Sequence, residues 1–481
     1  MNIKAVLNTL GKISMVEGLL LILPLTVSLV YGEFNSLAAF MVAIAVAVLV
    51  GSVFLILTRR HNHVIYAKEG FAIVAGVWIL ISLIGAIPFK VSGMIPSFVD
   101  AFFETVSGFT TTGASILKHI EGLPHGLLFW RSFTHFIGGM GFLVFVMAII
   151  PNVTDRSIHI LKAEVPGPAV SKIVPRIKDT AKILYLIYIA ITTLEIIMLI
   201  CGGMPVFDSV VHAFGTAGTG GFGIKNDSIT SYSPYCQWVI GIFMLLFGIN
   251  FNVYYLILLK KFKDVIKSSE LWTYISIVFA STVLITVNNI RVYENISVSI
   301  RHSFFQVSSI MTTTGFATTD FDRWTGIAKP ILLILMIIGA CAGSTGGGLK
   351  VSRVIMLFKT ISREIKRLLH PRTVKAVRFE GKKVDENTAS GVGQYFAIYM
   401  ICFAVCFLLI SFEPFGIETN LSATAACFNN IGPGFSAVGP TMNYSAYTDF
   451  SKIVLSFAML LGRLEIFPII IAFSPSAWKN D

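Results

Sequence analysis

Four short stretches of this 481-residue chain combine glycine with hydroxyl or amide side chains between long apolar runs. They are FTTTGAS (109–115), TAGTGGFG (216–223), MTTTGFATTD (311–320) and NNIGPGFSAVGP (429–440). The chemistry open to them is coordination of a cation by oxygen, because carbonyl dipoles can replace the water shell of a dehydrated ion. Glycine admits positive φ, so a carbonyl can turn inward without a Cβ clash. The candidate ligands are Thr111, Thr112 and Gly113; Ala217, Gly218, Thr219 and Gly220; Thr313, Thr314 and Gly315; and Asn430, Ile431, Gly432, Pro433 and Gly434. Aligned on one glycine each, the stretches meet at Gly113, Gly220, Gly315 and Gly434. One such stretch is an ordinary turn between helices; four at equivalent places are a repeat.

The elements that carry these loops are apolar helices. Ten segments have the roughly 20 apolar residues that a membrane span needs: about 13–32, 36–57, 69–88, 126–150, 180–201, 235–259, 270–288, 327–359 (interrupted), 390–412 and 451–474. Just before each polar loop lies a run too short to cross: 97–108, 206–215, 299–310 and 420–428. About 12 helical residues cover only ~18 Å, which suits a re-entrant segment. Each unit therefore reads long helix, half-length helix, polar loop, long helix. Two full spans per unit return the chain to its starting side, so the four units are parallel repeats about an axis normal to the membrane. The expected fold is an all-α polytopic membrane protein. Residues 1–62 form two additional N-terminal helices, and the repeats occupy 63–160, 161–264, 265–372 and 373–481. Non-helical backbone at membrane depth is tolerated where it lines a cavity, and the half-helices aim their partly negative C-terminal ends at it.

Composition removes other classes. The chain is 55% hydrophobic and 13% charged, with a net charge of +11. Of its 37 Lys and Arg residues, 27 fall in the termini and loops on one side of the ten-span arrangement, which marks that side, with both termini, as cytoplasmic. The positive charge is thus a topology signal, and nucleic acid drops out as a partner. The first apolar run, Ile13 to Tyr31, reads as a retained helix. Six cysteines lack paired loop spacing and nine histidines lack metal-ligand spacing, so neither a disulfide framework nor a zinc enzyme is supported. The mid-span charges Glu195, Arg463 and Glu465 form no nucleophile–base set, and no enzyme is expected.

With these four loops the chain resembles the TrkH/TrkG potassium-uptake subunits of the Trk/Ktr/HKT superfamily. The resemblance runs over nearly the whole chain, and the two extra N-terminal spans are similar to Trk rather than to eight-span Ktr proteins. It implies transport of K⁺, with Rb⁺ as a substitute, at a filter to which each repeat gives one glycine. The implied K⁺ ligands are Thr111, Thr112, Thr219, Gly220, Thr313, Thr314, Ile431 and Gly432. Sodium-selective plant relatives often carry serine at the first filter position; Gly113 stands there in this chain. The fourth loop, NNIGPG, departs from the TTTG form, which makes the filter symmetry imperfect. No cofactor beyond the transported ion is implied. Homodimerisation and a cytosolic TrkA-like nucleotide-binding ring are implied partners, in a cytoplasmic (inner) membrane.

Two further features concern control of flow. ILLILMIIGACAGSTGGGLKV packs five glycines into residues 339–348. Each costs a helix roughly 0.8–1 kcal/mol relative to alanine, so the segment should leave the helix and obstruct the path below the filter. Gly343, Gly346, Gly347 and Gly348 are its gate residues, a role the resemblance also implies. It is no nucleotide loop, because Leu349 precedes Lys350 and Val351 stands where Ser or Thr would be needed. Arg463 lies deep in the last span, where a charge is expensive unless it faces a pore or a partner; it is read as a positive barrier, with a structural tether as the alternative. Glu195 reads as a buried structural carboxylate and Arg131 as a snorkelling side chain with His135 one turn below. The basic segment 361–387 can face anionic lipid; the resemblance implies that it also docks the cytosolic ring.

Overall fold

The computed structural model describes residues 1–59, 66–139, 141, 177–293, 295–371 and 376–478. Among these the chain is mostly helical; the departure from an all-α fold is a two-stranded antiparallel hairpin pairing Arg378–Phe379 with Lys382–Lys383. Six helices are long and apolar enough to cross a membrane: Ile3–Val30, Phe34–Leu57, Lys68–Val91, Lys182–Cys201, Ser269–Tyr293 and Glu386–Ile410. Large apolar side chains face outward along them, with Val30, Ile56 and Phe279 each at least 70% exposed. That surface suits lipid and would be costly in water.

The first of these spans breaks at Leu21, between Ile3–Leu20 and Ile22–Val30. Pro24 explains the break, since it has no N–H to give the Leu20 carbonyl and its ring crowds that group. The N-terminal pair packs on the rest through small residues. Gly11 and Gly51 face each other, and Ser14 donates to the Ala47 carbonyl at 2.7 Å.

The four half-length helices are Phe98–Phe109, Val206–Gly218, Ile296–Met311 and Ile417–Phe428. Ser97 and Asn295 cap the first and third through their side-chain oxygens, satisfying amides that lack intrahelical partners.

The helices that follow the polar loops are less continuous than the apolar pattern suggests. Segment 327–359 is interrupted as expected, by a non-helical stretch between Ala328–Ile338 and Val351–Leu369. Segments 235–259 and 451–474, each read from the sequence as a span, are both broken. Pro234–Phe247 and Phe251–Leu258 meet at 87°, and Asp449–Arg463 and Phe467–Phe473 meet at 120°. The causes are local. Asn250 caps a new helix by accepting from the Asn252 N–H at 2.9 Å. At the second bend Glu465 and Ile466 both take positive φ, and Pro468 sits at the start of the next helix, the position proline tolerates best. Of segment 126–150, the helix His125–Gly139 is described; residues 140 and 142–150 lie outside the described residues.

Candidate ion-conduction site

All four half-helices end in the same hydrogen-bonded cap. In the first, the Thr112 N–H reaches back to the Ser107 carbonyl at 2.8 Å and the Thr111 N–H to Gly108 at 3.1 Å. The pattern recurs as Gly220 to Gly215 and Thr219 to Thr216, Thr314 to Ser309 and Thr313 to Ile310, Ile431 to Ala426 and Asn430 to Cys427. This is the paired C-terminal closure that places one residue in the left-handed region, a place usually held by glycine. Here it is held by Thr111, Thr219, Thr313 and Asn430, with φ of 54° to 59°. A β-branched residue at such φ is strained by roughly 1–2 kcal/mol. The three threonines repeat that strain, with Asn430 at the same φ in the fourth loop, and the repetition marks a functional constraint.

Two residues beyond each strained position a glycine takes positive φ: Gly113, Gly221, Gly315 and Gly432. The structural register thus corrects the alignment drawn from glycine counting. Gly221 replaces Gly220, and Gly432 replaces Gly434, as the partner of Gly113 and Gly315. The fourth-loop residues level with Thr111 and Thr112 are Asn430 and Ile431, so Gly432 belongs one step further along. Counting could not choose among Gly218, Gly220 and Gly221, because the cap sets the register and not the glycine number. A usable signal was the Gly–Phe pair shared by 221–222 and 315–316.

The four loops close into a ring. A Cβ on Gly113 would overlap the Gly220 carbonyl oxygen, one on Gly221 that of Thr314, and one on Gly315 that of Ile431; Gly432 abuts the Thr112 carbonyl. Each loop thus lodges on the next in chain order, and the fourth returns to the first. The carbonyls of Thr112, Gly220, Thr314 and Ile431 meet the glycines of neighbouring loops, and Thr111, Thr219, Thr313 and Asn430 precede them in the chain. These eight residues are buried, and no described residue donates a hydrogen bond to their carbonyls. A buried acceptor without a donor requires an explanation, and rings of them suit a dehydrated cation. Ala217 and Gly218 lie apart from the ring, at the end of the second half-helix, with Gly218 against the His135 backbone. Pro433 packs on Gly315, and Gly434 packs on Ser422.

The ring is held from behind. Arg131 does not snorkel: it is 2% exposed and pairs with Glu104 of the first half-helix at 2.8 Å. Its guanidinium also donates to the Gly223 carbonyl at 3.1 Å and lies 4.1 Å from the centre of the Phe222 ring. Glu104 in turn accepts the Ile116 N–H at 2.9 Å. Losing one partner of such a buried pair costs about 3–5 kcal/mol. His135, fully buried, makes a 2.7 Å bond between Nδ1 and the Gly108 carbonyl and accepts the Phe222 N–H at Nε2. Glu195 is also fully buried.

Under the ring lies the glycine-rich stretch. The Gly347 N–H donates to the Thr313 hydroxyl at 2.6 Å, Gly346 abuts the Thr312 carbonyl and Gly347 that of Asn429. Gly343 accepts from the Phe251 N–H at 3.0 Å, and Gly348 packs on Gly339. Arg463 donates to the Thr345 carbonyl of this stretch at 2.8 Å and to the carbonyls of Gly138 and Gly139. Glu465 is not its mate; it pairs with Arg353.

Comparison with known proteins agrees with this geometry. A family model described as "Cation transport protein", TrkH, matches residues 36–480. The Trk system potassium uptake proteins TrkH of Salmonella typhimurium and of Escherichia coli K12 are each 35% identical, with all of both chains covered. The crystal structure of the potassium transporter TrkH from Vibrio parahaemolyticus superposes with a TM-score of 0.90 at 31% identity, again over both whole chains. The buried carbonyl rings, the apolar spans and these full-length likenesses agree: the chain is a multi-pass membrane protein and belongs to the TrkH family of cation transport proteins.

Proposed function

We propose that this protein takes up K⁺ across the cytoplasmic membrane, with both termini cytoplasmic, through the filter formed by its four loops. The observation that carries the reading is the closed cycle in which each loop's glycine lodges on the carbonyl of the next. Those carbonyls are buried without a donor among the described residues, and a K⁺ or Rb⁺ ion would complete their coordination. The full-length relatives are potassium uptake proteins, which supports potassium as the ion. The glycine-rich stretch is the gate, because it lies against Thr312, Thr313 and Asn429 directly under the ring. A homodimer, contact with membrane lipid and a TrkA-like cytosolic ring belong to the same reading; the basic segment 361–387 is the surface for the ring.

The test is ⁸⁶Rb⁺ uptake into proteoliposomes with competing K⁺ and Na⁺ and imposed ion gradients. Saturable uptake that K⁺ blocks at far lower concentration than Na⁺ is expected; equal block by both would overturn potassium selectivity. Deleting Gly346 to Gly348 should raise basal flux, and flat flux from folded protein would remove the gate. A second reading, transport of Na⁺ or of monovalent cations without discrimination, draws on the fourth loop, where Asn430 and Ile431 replace the threonines of the first and third. The same competition separates the two.

A further inference from the structure

The glycine loop has a tip and a neck. Its neck is zipped shut by its own backbone: Leu349 donates to the Ile337 carbonyl at 3.1 Å, Lys350 to Ile338 at 2.9 Å and Val351 to Ala340 at 3.0 Å. Across that neck lies one side chain from another helix. Oε1 of Glu270 accepts the Ala342 N–H at 2.7 Å and the Ser352 N–H at 3.2 Å, so a single oxygen binds both limbs of the loop. Glu270 is 5% exposed, and amides left without this acceptor would be buried and unpaired.

Glu270 sits in the first turn of Ser269–Tyr293, and that turn is capped from outside. Oε1 of Glu380, at the tip of the cytoplasmic hairpin, accepts the Glu270 N–H at 3.0 Å and the hydroxyls of Ser268 and Ser269 at 3.2 Å. A carboxylate at a helix N-terminus meets free amides and the positive end of the dipole. The hairpin turn is unusual in its residue: Glu380 takes φ of 49° before Gly381 at 73°, where tight hairpins favour Asn, Asp or Gly at the first place. The strained backbone is the one that brings this carboxylate to the helix end.

We propose that Glu270 is a positioning residue for the gate and that Glu380 is the external member of the same clasp, coupling the cytoplasmic hairpin to the neck of the glycine loop. The proposal rests on the reading of that loop as the gate. Drawing the hairpin away uncaps the first turn of Ser269–Tyr293, shifts Glu270 and loosens both limbs of the loop together. Because the clasp grips the neck and not the filter, it sets how often the path is open without altering which ion passes.

The experiment is ⁸⁶Rb⁺ flux into proteoliposomes of the full chain, with thermal stability in detergent measured on the same preparations. Glu270→Ala should raise basal flux about fivefold, with Na⁺ competition unchanged. Glu270→Gln, which keeps an acceptor oxygen, should restore flux to within about twofold of the parent. Glu380→Ala, at an exposed position, should raise flux about twofold. Unchanged flux in folded Glu270→Ala overturns the proposal, as does a Gln variant that behaves like Ala. If Glu270→Ala does not fold, unchanged flux in Glu380→Ala overturns it. The loop deletion distinguishes the failures: raised flux there with silent glutamate variants removes the clasp and leaves the gate, whereas flat flux in the deletion removes the gate itself.

Discussion

The first and third polar loops support themselves, whereas the second and fourth borrow support from their neighbours. In loops one and three the hydroxyls of Thr110 and Thr312 donate back to the carbonyls of Val106 and Ser308 and lie 2.8 Å from the hydroxyls of Thr112 and Thr314. That chain of hydroxyls braces the backbone within one short sequence. Loops two and four have Gly220 and Ile431 at the braced position and cannot make it. The ring of His135, from the helix of the first repeat, fills the space beside Gly220. Asn430 reaches across to the Thr112 hydroxyl at 3.0 Å and to the Met459 carbonyl at 2.9 Å, while Tyr444 donates to Gly432 at 2.8 Å. The ring is therefore near four-fold in backbone but two-fold in how it is held. Similar geometry does not require similar chemistry.

The largest effects should come from substitutions that ignore this difference and strike the shared backbone. Gly113→Ser, Gly221→Ser and Gly315→Ser each push a Cβ into the next loop's carbonyl, and each should cost about tenfold in discrimination between Rb⁺ and Na⁺. Gly434→Ala, outside the ring, should lower the melting temperature and leave ion competition unchanged. Equal selectivity loss at Gly434 and Gly432 would restore the alignment made by counting glycines.

Next comes Arg463, which ties the glycine-rich stretch to the helix His125–Gly139. Arg463→Ala removes a positive charge and takes this donor from the carbonyls of Thr345 and Gly139, while Gly138 keeps the Gly141 N–H. Flux should rise and thermal stability fall together. Arg463→Lys keeps the charge without the planar fork, so flux as low as the parent's would assign the barrier to charge, and flux matching the alanine variant would assign it to the tether.

Smaller effects separate the two kinds of loop. Asn430→Leu breaks the borrowed support of loop four and should cost about 1–3 kcal/mol of stability through the two hydrogen bonds it removes, with a partial loss of K⁺ preference in flux competition. Thr312→Val or Thr314→Val removes one hydroxyl from a self-braced loop and should cost about 1 kcal/mol, with selectivity within about twofold of the parent. Selectivity that collapses in the valine variants would mean that hydroxyls, and not the carbonyl ring, hold the ion.

Much of this was legible because helix length and loop composition are local. The half-helices read as 97–108 and 206–215 from their apolar runs, and the polar loops follow where those runs stop. The bends in the second and fourth repeats were marked in the sequence by Asn250 and Pro468, but unbroken hydropathy masked them. The role of Arg131 was not readable. Its partner Glu104 lies 27 residues away on a different helix, and only the fold makes them adjacent. The clasp at Glu270 was equally hidden, because its two amides belong to a loop 72 and 82 residues further on.

The cycle of glycine on carbonyl is written into a single chain, and this shapes how errors enter it. In a pore made of four identical subunits, one altered codon appears on every wall at once. Here a codon change alters one wall and leaves three intact, so each quarter can drift alone while the others keep the passage usable. His135 beside Gly220 and Asn430 beside Thr112 have the form such drift would take: local repairs, each fitted to one wall.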